Sequence, residues 1–180
     1  MNTESNFEDI GIIKKVLGGD KEAFAALVDK YKNPVYNLAF RMTGSRFDAD
    51  DVAQEAFVKA YRNLKSFRQE LNFFSWLYSI ALNTARNWLK AGKRPARCAI
   101  ADPENIADSK PGADAKMSSS QEITGMLGML PEKYRAPFVL KHLENYTCEE
   151  ISKMLKCPEG TVRVHIHRAK QMLYEKFKGT

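Results

Sequence analysis

Val164, His167, Arg168 and Gln171 fall on one side of a C-terminal helical stretch, and such side chains can read base edges in duplex DNA. Arg163 and Lys170 stand on one flank of that side, and Thr161 and His165 lie nearer the other. Arginine bonds guanine bidentately in the major groove, and a good base contact supplies about 1–3 kcal/mol of discrimination. A cation on a phosphate instead strengthens binding to all sequences alike and steepens its salt dependence. Val164 donates no hydrogen bond, so its possible contacts are a thymine methyl or a sugar.

These groups need a scaffold that holds them on one exposed face. Val162, Ile166, Ala169 and Leu173 step by three or four and form a narrow apolar stripe opposite them. Upstream, Thr147-Cys148-Glu149-Glu150 is a capping-box pattern. Ile151, Met154 and Leu155 continue one helical face, and Lys156-Cys157-Pro158 ends it, because proline disfavours helical geometry in the residue before it. Two helices joined by a short turn, the second basic on its outer face, make a helix-turn-helix whose second helix can enter a major groove. An ordinary helical hairpin with a solvated basic face satisfies the same pattern.

A second group of side chains suits unpaired bases. Phe67, Phe73, Phe74, Trp76 and Tyr78 cluster around the start of a helix expected from about Phe73 to Leu89, with Trp88 further on. Phe73, Leu77, Ile80, Ala81, Thr84 and Trp88 make its inner face. Phe74 and Tyr78 are four apart on a different face from Phe73, and Asn83, Arg86, Asn87 and Lys90 add polar and basic groups. Rings stack on bases while cations follow phosphates. The plainer alternative is an amphipathic helix whose basic end complements its dipole.

The remaining elements read as helical core. Ile10, Ile13, Val16 and Leu17 predict a first short helix ended by Gly18-Gly19, and Asp20 caps the next. Asn33-Pro34 is expected to break that helix, with a third running from Val35 to Gly44. Asp48 or Asp50 opens another. Val52, Ala53, Ala56, Phe57, Ala60, Tyr61 and Leu64 face inward, while Asp51, Gln54, Glu55 and Val58 lie toward the other side. From Lys93 to about Ser118, prolines and small residues without an apolar period read as a flexible linker. Order resumes at Ser119-Ser120. Leu130-Pro131-Glu132 opens a helix that Pro137 is expected to kink or shorten.

Composition narrows the classes. The chain has 180 residues, enough for one ordinary domain or two small ones, and 44% are hydrophobic, which supports a packed core. A net charge of +6 favours an anionic partner, nucleic acid or membrane surface. Three cysteines, Cys98, Cys148 and Cys157, do not read as a disulfide framework. Cys148, Cys157, His165 and His167 fail the usual paired-ligand spacings for zinc, so no metal and no cofactor are expected. A phosphate-cradling glycine loop is missing, as is a nucleophile with an evident base, so no catalytic site is expected. No segment is apolar enough to span a bilayer, and the polar, acidic start is unlike a signal peptide, so the cytoplasm is the expected compartment and no stable membrane insertion is expected.

The wording of the motifs is more specific than their periodicity. Tyr146 to Arg163, ending in His167-Arg168-Ala169-Lys170, resembles the C-terminal helix-turn-helix of bacterial sigma factors, most of all the extracytoplasmic-function (ECF) group. Val164-His165 stands where that family commonly has Ser-Arg. Asp48 to Arg62 resembles the family segment that grips core RNA polymerase. Ser66-Phe67-Arg68, Phe73 to Tyr78 and Ile80-Ala81-Leu82-Asn83 resemble its segment that melts and reads the −10 element.

The resemblance implies an all-α protein of two small helical domains joined by a flexible linker, with residues 1–94, 95–118 and 119–180 as the three parts. It implies Asp51, Gln54 and Glu55 at core RNA polymerase; Arg68, Phe74, Asn83 and Arg86 at the −10 strand; and Thr161, Arg163, Val164, His167, Arg168 and Gln171 at a −35 duplex. The loop Lys65–Asn72 would hold a flipped base. Core RNA polymerase, promoter DNA and an anti-sigma factor are the implied partners. A conventional helix-turn-helix regulator would leave Asp48–Arg62 and the aromatic helix unexplained; an enzyme with a basic helical tail would leave more.

Overall fold

The computed structural model describes residues 3–68, 72–91 and 122–178. Every regular element among them is helical. An N-terminal unit contains α1 (Thr3–Leu17), α2 (Phe24–Thr43), α3 (Arg46–Arg62) and α4 (Phe73–Lys90). A C-terminal unit contains α5 (122–128), α6 (Glu132–His142), α7 (Cys148–Leu155) and α8 (Glu159–Lys178). The expected all-α class is observed. The expected start at Ser119-Ser120 and the whole of the expected linker lie outside the described residues.

The N-terminal core forms where α2, α3 and α4 meet. Leu27, Val35, Leu38 and Met42 of α2 are fully buried, as are Leu77, Ala81 and Leu82 of α4. α3 contributes Val52 and the small residues Ala49, Ala56 and Ala60, which let its backbone approach its neighbours closely. Fully burying each large apolar side chain stabilises by about 1.5–3 kcal/mol. The C-terminal unit is smaller, with Leu127, Leu130, Val139, Leu140, Ile151, Val162 and Ala169 at its centre.

Several local expectations are corrected. Asn33-Pro34 does not break α2, which runs unbroken to Thr43 with Pro34 inside it. Leu27, Tyr31, Val35, Leu38, Ala39 and Met42 stay in phase across the proline and are all buried. An interior proline costs about 3 kcal/mol, and burial of this stripe more than offsets it. α6 holds the buried Pro137 inside it, where the sequence places it, and continues to His142. α1 starts earlier than its apolar residues suggest. α3 is opened by neither Asp48 nor Asp50; the Ser45 hydroxyl accepts the Asp48 amide at 3.3 Å. Tyr61 is not fully inward; it sits partly exposed with its ring edge-on to Phe24 at 5.1 Å.

Helix ends follow local chemistry closely. Asp20 accepts the Ala23 amide at 3.1 Å, and Asn72 accepts the Ser75 amide at 3.0 Å at the start of α4. Gly44 closes α2 at φ 77°, a left-handed conformation that suits glycine. α7 ends on Lys156, also left-handed at φ 52°, so the turn into α8 is made before Pro158. Asn145, at φ 59°, turns the chain between α6 and α7.

The capping box of α7 is complete: the Thr147 amide donates to Glu150 at 2.8 Å, and the Glu150 amide donates to the Thr147 hydroxyl at 3.2 Å. These Thr147 groups, the backbone amide first, hold the Glu150 carboxyl below its ordinary value. A depressed carboxyl contributes stability above its unfolded value, and loses it as pH falls through the folded one. Thr147→Ala is expected to lower unfolding stability by about 1 kcal/mol. Urea titration checks this. The stability gap between wild type and Glu150→Gln is expected to shrink as pH falls below about 4.3.

Candidate nucleic-acid interface

α8 turns its apolar stripe, Val162, Ile166 and Ala169, into the C-terminal core. That fixes what faces out. Arg163, His167, Arg168 and Gln171 are exposed, and Val164 is 53% exposed beside them. With Tyr134, Met172 and Glu175 they line an open groove between α6 and α8. Arg163 reaches back to Glu159 at 2.6 Å, which raises the guanidinium's pKa and lays the side chain along the helix. The Gln171 amide donates to Glu175 at 3.2 Å. Thr161 is half-buried in the first turn.

His165 does not join the exposed face. Its ring packs edge-on to Tyr134 at 5.3 Å in the seam between α6 and α8. Burial first, then the Lys133 and Arg168 cations, lower its pKa. The Lys133 ammonium, followed by Arg168, also lowers the Tyr134 phenol. Tyr134 was not singled out by sequence periodicity as a site residue. Its position beside Arg168 arises from the packing of α6 on α8, which no local spacing encodes.

The residues proposed for unpaired bases are arranged less uniformly. Arg68 is exposed, and Asn83 is half-buried on α4. Phe74 packs between Tyr31 at 5.2 Å and Tyr78 at 5.0 Å, so part of its ring is already occupied. Tyr78 is fully buried and meets Tyr146 at 6.0 Å, so it offers no platform for a base. Arg86 donates through Nε to Glu132 of α6. Of the loop expected to hold a base, residues 69–71 lie outside the described residues.

On α3, Asp51, Gln54 and Glu55 are exposed together, and Glu55 pairs with Lys59 at 2.7 Å. Val58 extends the same face. Phe47, one turn before Asp51, is 87% exposed. The sequence signal for Phe47 was available: an aromatic four residues before Asp51, out of phase with the buried stripe. Among the described residues, no cluster of three or more His, Cys, Asp or Glu side chains is placed to hold a metal ion. Cys98 lies outside them. No described helix is long and apolar enough to cross a membrane.

The Sigma-70 region 2 family matches residues 27–94, and the Sigma-70 region 4 family matches residues 120–173. The chain is 40% identical to the ECF RNA polymerase sigma-E factor of Haemophilus influenzae, covering 94% of this chain and 95% of that protein. It is 37% identical to the ECF RNA polymerase sigma factor SigW of Bacillus subtilis, covering 92% and 95%. Among solved structures, CnrH in complex with the cytosolic domain of CnrY aligns with TM-score 0.68 at 22% identity, covering 93% of this chain and 96% of that one. The sigma factor RpoE in complex with the anti-sigma factor NepR from Bartonella quintana aligns at 0.64 and 19% identity, covering 86% and 96%. At those identities the two structures speak for the fold alone.

The packing of His165 against Tyr134 is open to direct measurement. The His165 ring is expected to titrate below the usual 6.5 in a proton NMR series, and Tyr134→Ala is expected to move it upward. A folded histidine held neutral leaves the unfolded chain the better proton acceptor. Its share of stability therefore falls as pH drops through about 6.5 and levels off below the folded pKa.

Proposed function

The chain belongs to the ECF sigma factors of RNA polymerase, and from that premise we propose how its surfaces divide the work of initiation. The protein directs core RNA polymerase to specific promoters and assists their opening. The 40% identity to the Haemophilus influenzae factor over nearly the whole of both chains, with both family regions in order, carries this conclusion. RNA synthesis belongs to the polymerase, and this chain contributes no catalytic group. It works in the cytoplasm, where the polymerase and its promoters are.

Residues 1–94 serve as the domain for core binding and the −10 element, 95–118 as the connection, and 119–180 as the −35 domain. Asp51, Gln54 and Glu55 dock on the polymerase, an assignment supported by their shared exposure on α3. Arg68, Asn83 and Arg86 follow the opened −10 strand, and Phe74 offers the accessible part of its ring. Arg163, Val164, His167, Arg168 and Gln171 meet the −35 duplex, with Thr161 at the helix start near a phosphate. Arg168 is the base reader of the set. Arg163, drawn toward Glu159, adds affinity without sequence preference. An anti-sigma factor holds the chain inactive, as the partner of RpoE in the Bartonella quintana complex is such a factor.

Promoter-specific transcription by purified chain plus core polymerase tests the function; binding to duplex alone, with no transcription, would instead indicate a conventional regulator. Reversing the charge of both Asp51 and Glu55 is expected to weaken core association roughly tenfold in competition with another sigma factor, about 1.4 kcal/mol. Arg168→Ala is expected to relax preference at one or two −35 base pairs by about 1–3 kcal/mol. Arg163→Ala is expected to weaken all sequences evenly and to lower the salt slope, read on a panel of −35 variants at two salt concentrations.

A further inference from the structure

Two ion pairs join the helical units, and each is largely shielded from water. Arg41 of α2 pairs with Glu144, and Arg86 of α4 pairs with Glu132 of α6. The Glu132 side chain is 19% exposed and that of Glu144 18%, well below the 70% of the solvated Glu149–Lys153 pair on α7. A third contact runs the other way: Arg135 of α6 donates to the Met42 carbonyl in the last turn of α2. Ring contact adds to the charges. Tyr146 lies in the short connection between α6 and α7, yet it is 5% exposed because it packs against Tyr78 of α4. The connection is shaped for this. Asn145 adopts its left-handed conformation between Glu144 and Tyr146, and the Tyr146 amide bonds Leu140 at 3.0 Å.

We propose that the two units close on one another through this charged lock, and that Glu132 in the closed chain withholds Arg86 from single-stranded DNA. A carboxylate and a phosphate offer a guanidinium the same kind of oxygen acceptor. Paired with Glu132, the Arg86 guanidinium has its charge compensated and is held toward α6, so strand binding and closure compete. Observed affinity is then the intrinsic affinity scaled by the open fraction. Salt gives the competition a signature. Raising it weakens the strand contacts by screening and counterion release, but it also weakens the lock. The salt slope of strand binding is therefore shallower with the lock intact than with the lock removed. The competition rests on the reading of α4 as a strand-binding element; the closure does not.

The experiment compares wild type with Glu132→Gln/Glu144→Gln. Glu149→Gln reproduces one unit of the charge change in the same C-terminal unit, away from the contact, and Glu149→Gln/Glu122→Gln, at the exposed start of α5, reproduces both. Small-angle X-ray scattering reads closure without DNA. Fluorescence anisotropy with a labelled single-stranded DNA of mixed sequence reads competition. The Glu132/Glu144 variant is expected to show a larger radius of gyration, about fivefold tighter strand binding than the charge-matched control, and a steeper salt slope. Arg41→Gln breaks the lock from the N-terminal unit without touching Arg86, and it is expected to expand the chain too. An unchanged radius in both lock variants overturns closure through these ion pairs. Expansion with strand affinity no better than the charge-matched control overturns the competition. Wild-type promoter-specific transcription with core polymerase, measured alongside, tests the functional assignment separately, since it is read with both glutamates in place.

Discussion

A single buried cation organises the meeting of the two halves. Arg135 is 6% exposed, and its guanidinium donates to three backbone carbonyls: Met42, Gly128 at 2.9 Å and Leu130 at 3.0 Å. Taking a charge out of water costs several kcal/mol unless its hydrogen bonds are replaced. The replacements here come from the end of α5, the approach to α6 and the last turn of α2. The last turn of a helix carries partial negative charge on its free carbonyls, so α2 offers a favourable end for a cation. Gly44 sets where that end falls. The position of α6, and with it the Tyr134 side of the groove between α6 and α8, is thereby referenced to the N-terminal core.

The local rules that read well were those in which one element decides. The stripe of α8 and the α7 capping box are present as the sequence implies, and the inner face of α4 holds Phe73, Leu77, Ala81 and Thr84 but takes in Tyr78, Leu82 and Ala85 while Ile80 and Trp88 stay half-buried. The misreadings came from tertiary burial overriding a local preference. Pro34 sits inside a helix because apolar neighbours in phase on both sides are buried. The site was legible in part for the same reason. Outward residues of α8 and α3 follow from helical phase. The turn of His165 toward Tyr134, the burial of Tyr78 against Tyr146 and the capture of Arg86 by Glu132 join residues far apart in sequence. Periodicity carries no information about such pairs.

The two surfaces proposed to face DNA differ in how they are built. The α8 face is a rigid helix side with side chains standing free or leaning on a helical neighbour, suited to a groove whose shape is already fixed. The α4 face mixes exposed Arg68, half-buried Asn83 and Phe74, and an arginine engaged elsewhere. Such a face must rearrange to receive a strand, which fits a ligand that is itself opened during binding.

Lys156 ends α7 in a left-handed conformation at φ 52°, exposed to solvent. Its amide bonds Ser152, and the Ser152 hydroxyl donates to the Cys157 carbonyl at 2.7 Å, so the turn is pinned from both sides. A left-handed residue other than glycine carries about 1–2 kcal/mol of steric cost, and more when the side chain branches at Cβ. Position 156 therefore filters sequence drift by backbone shape alone. Glycine and asparagine can replace the lysine while the angle between α7 and α8 is kept, whereas valine, isoleucine and threonine would strain the turn.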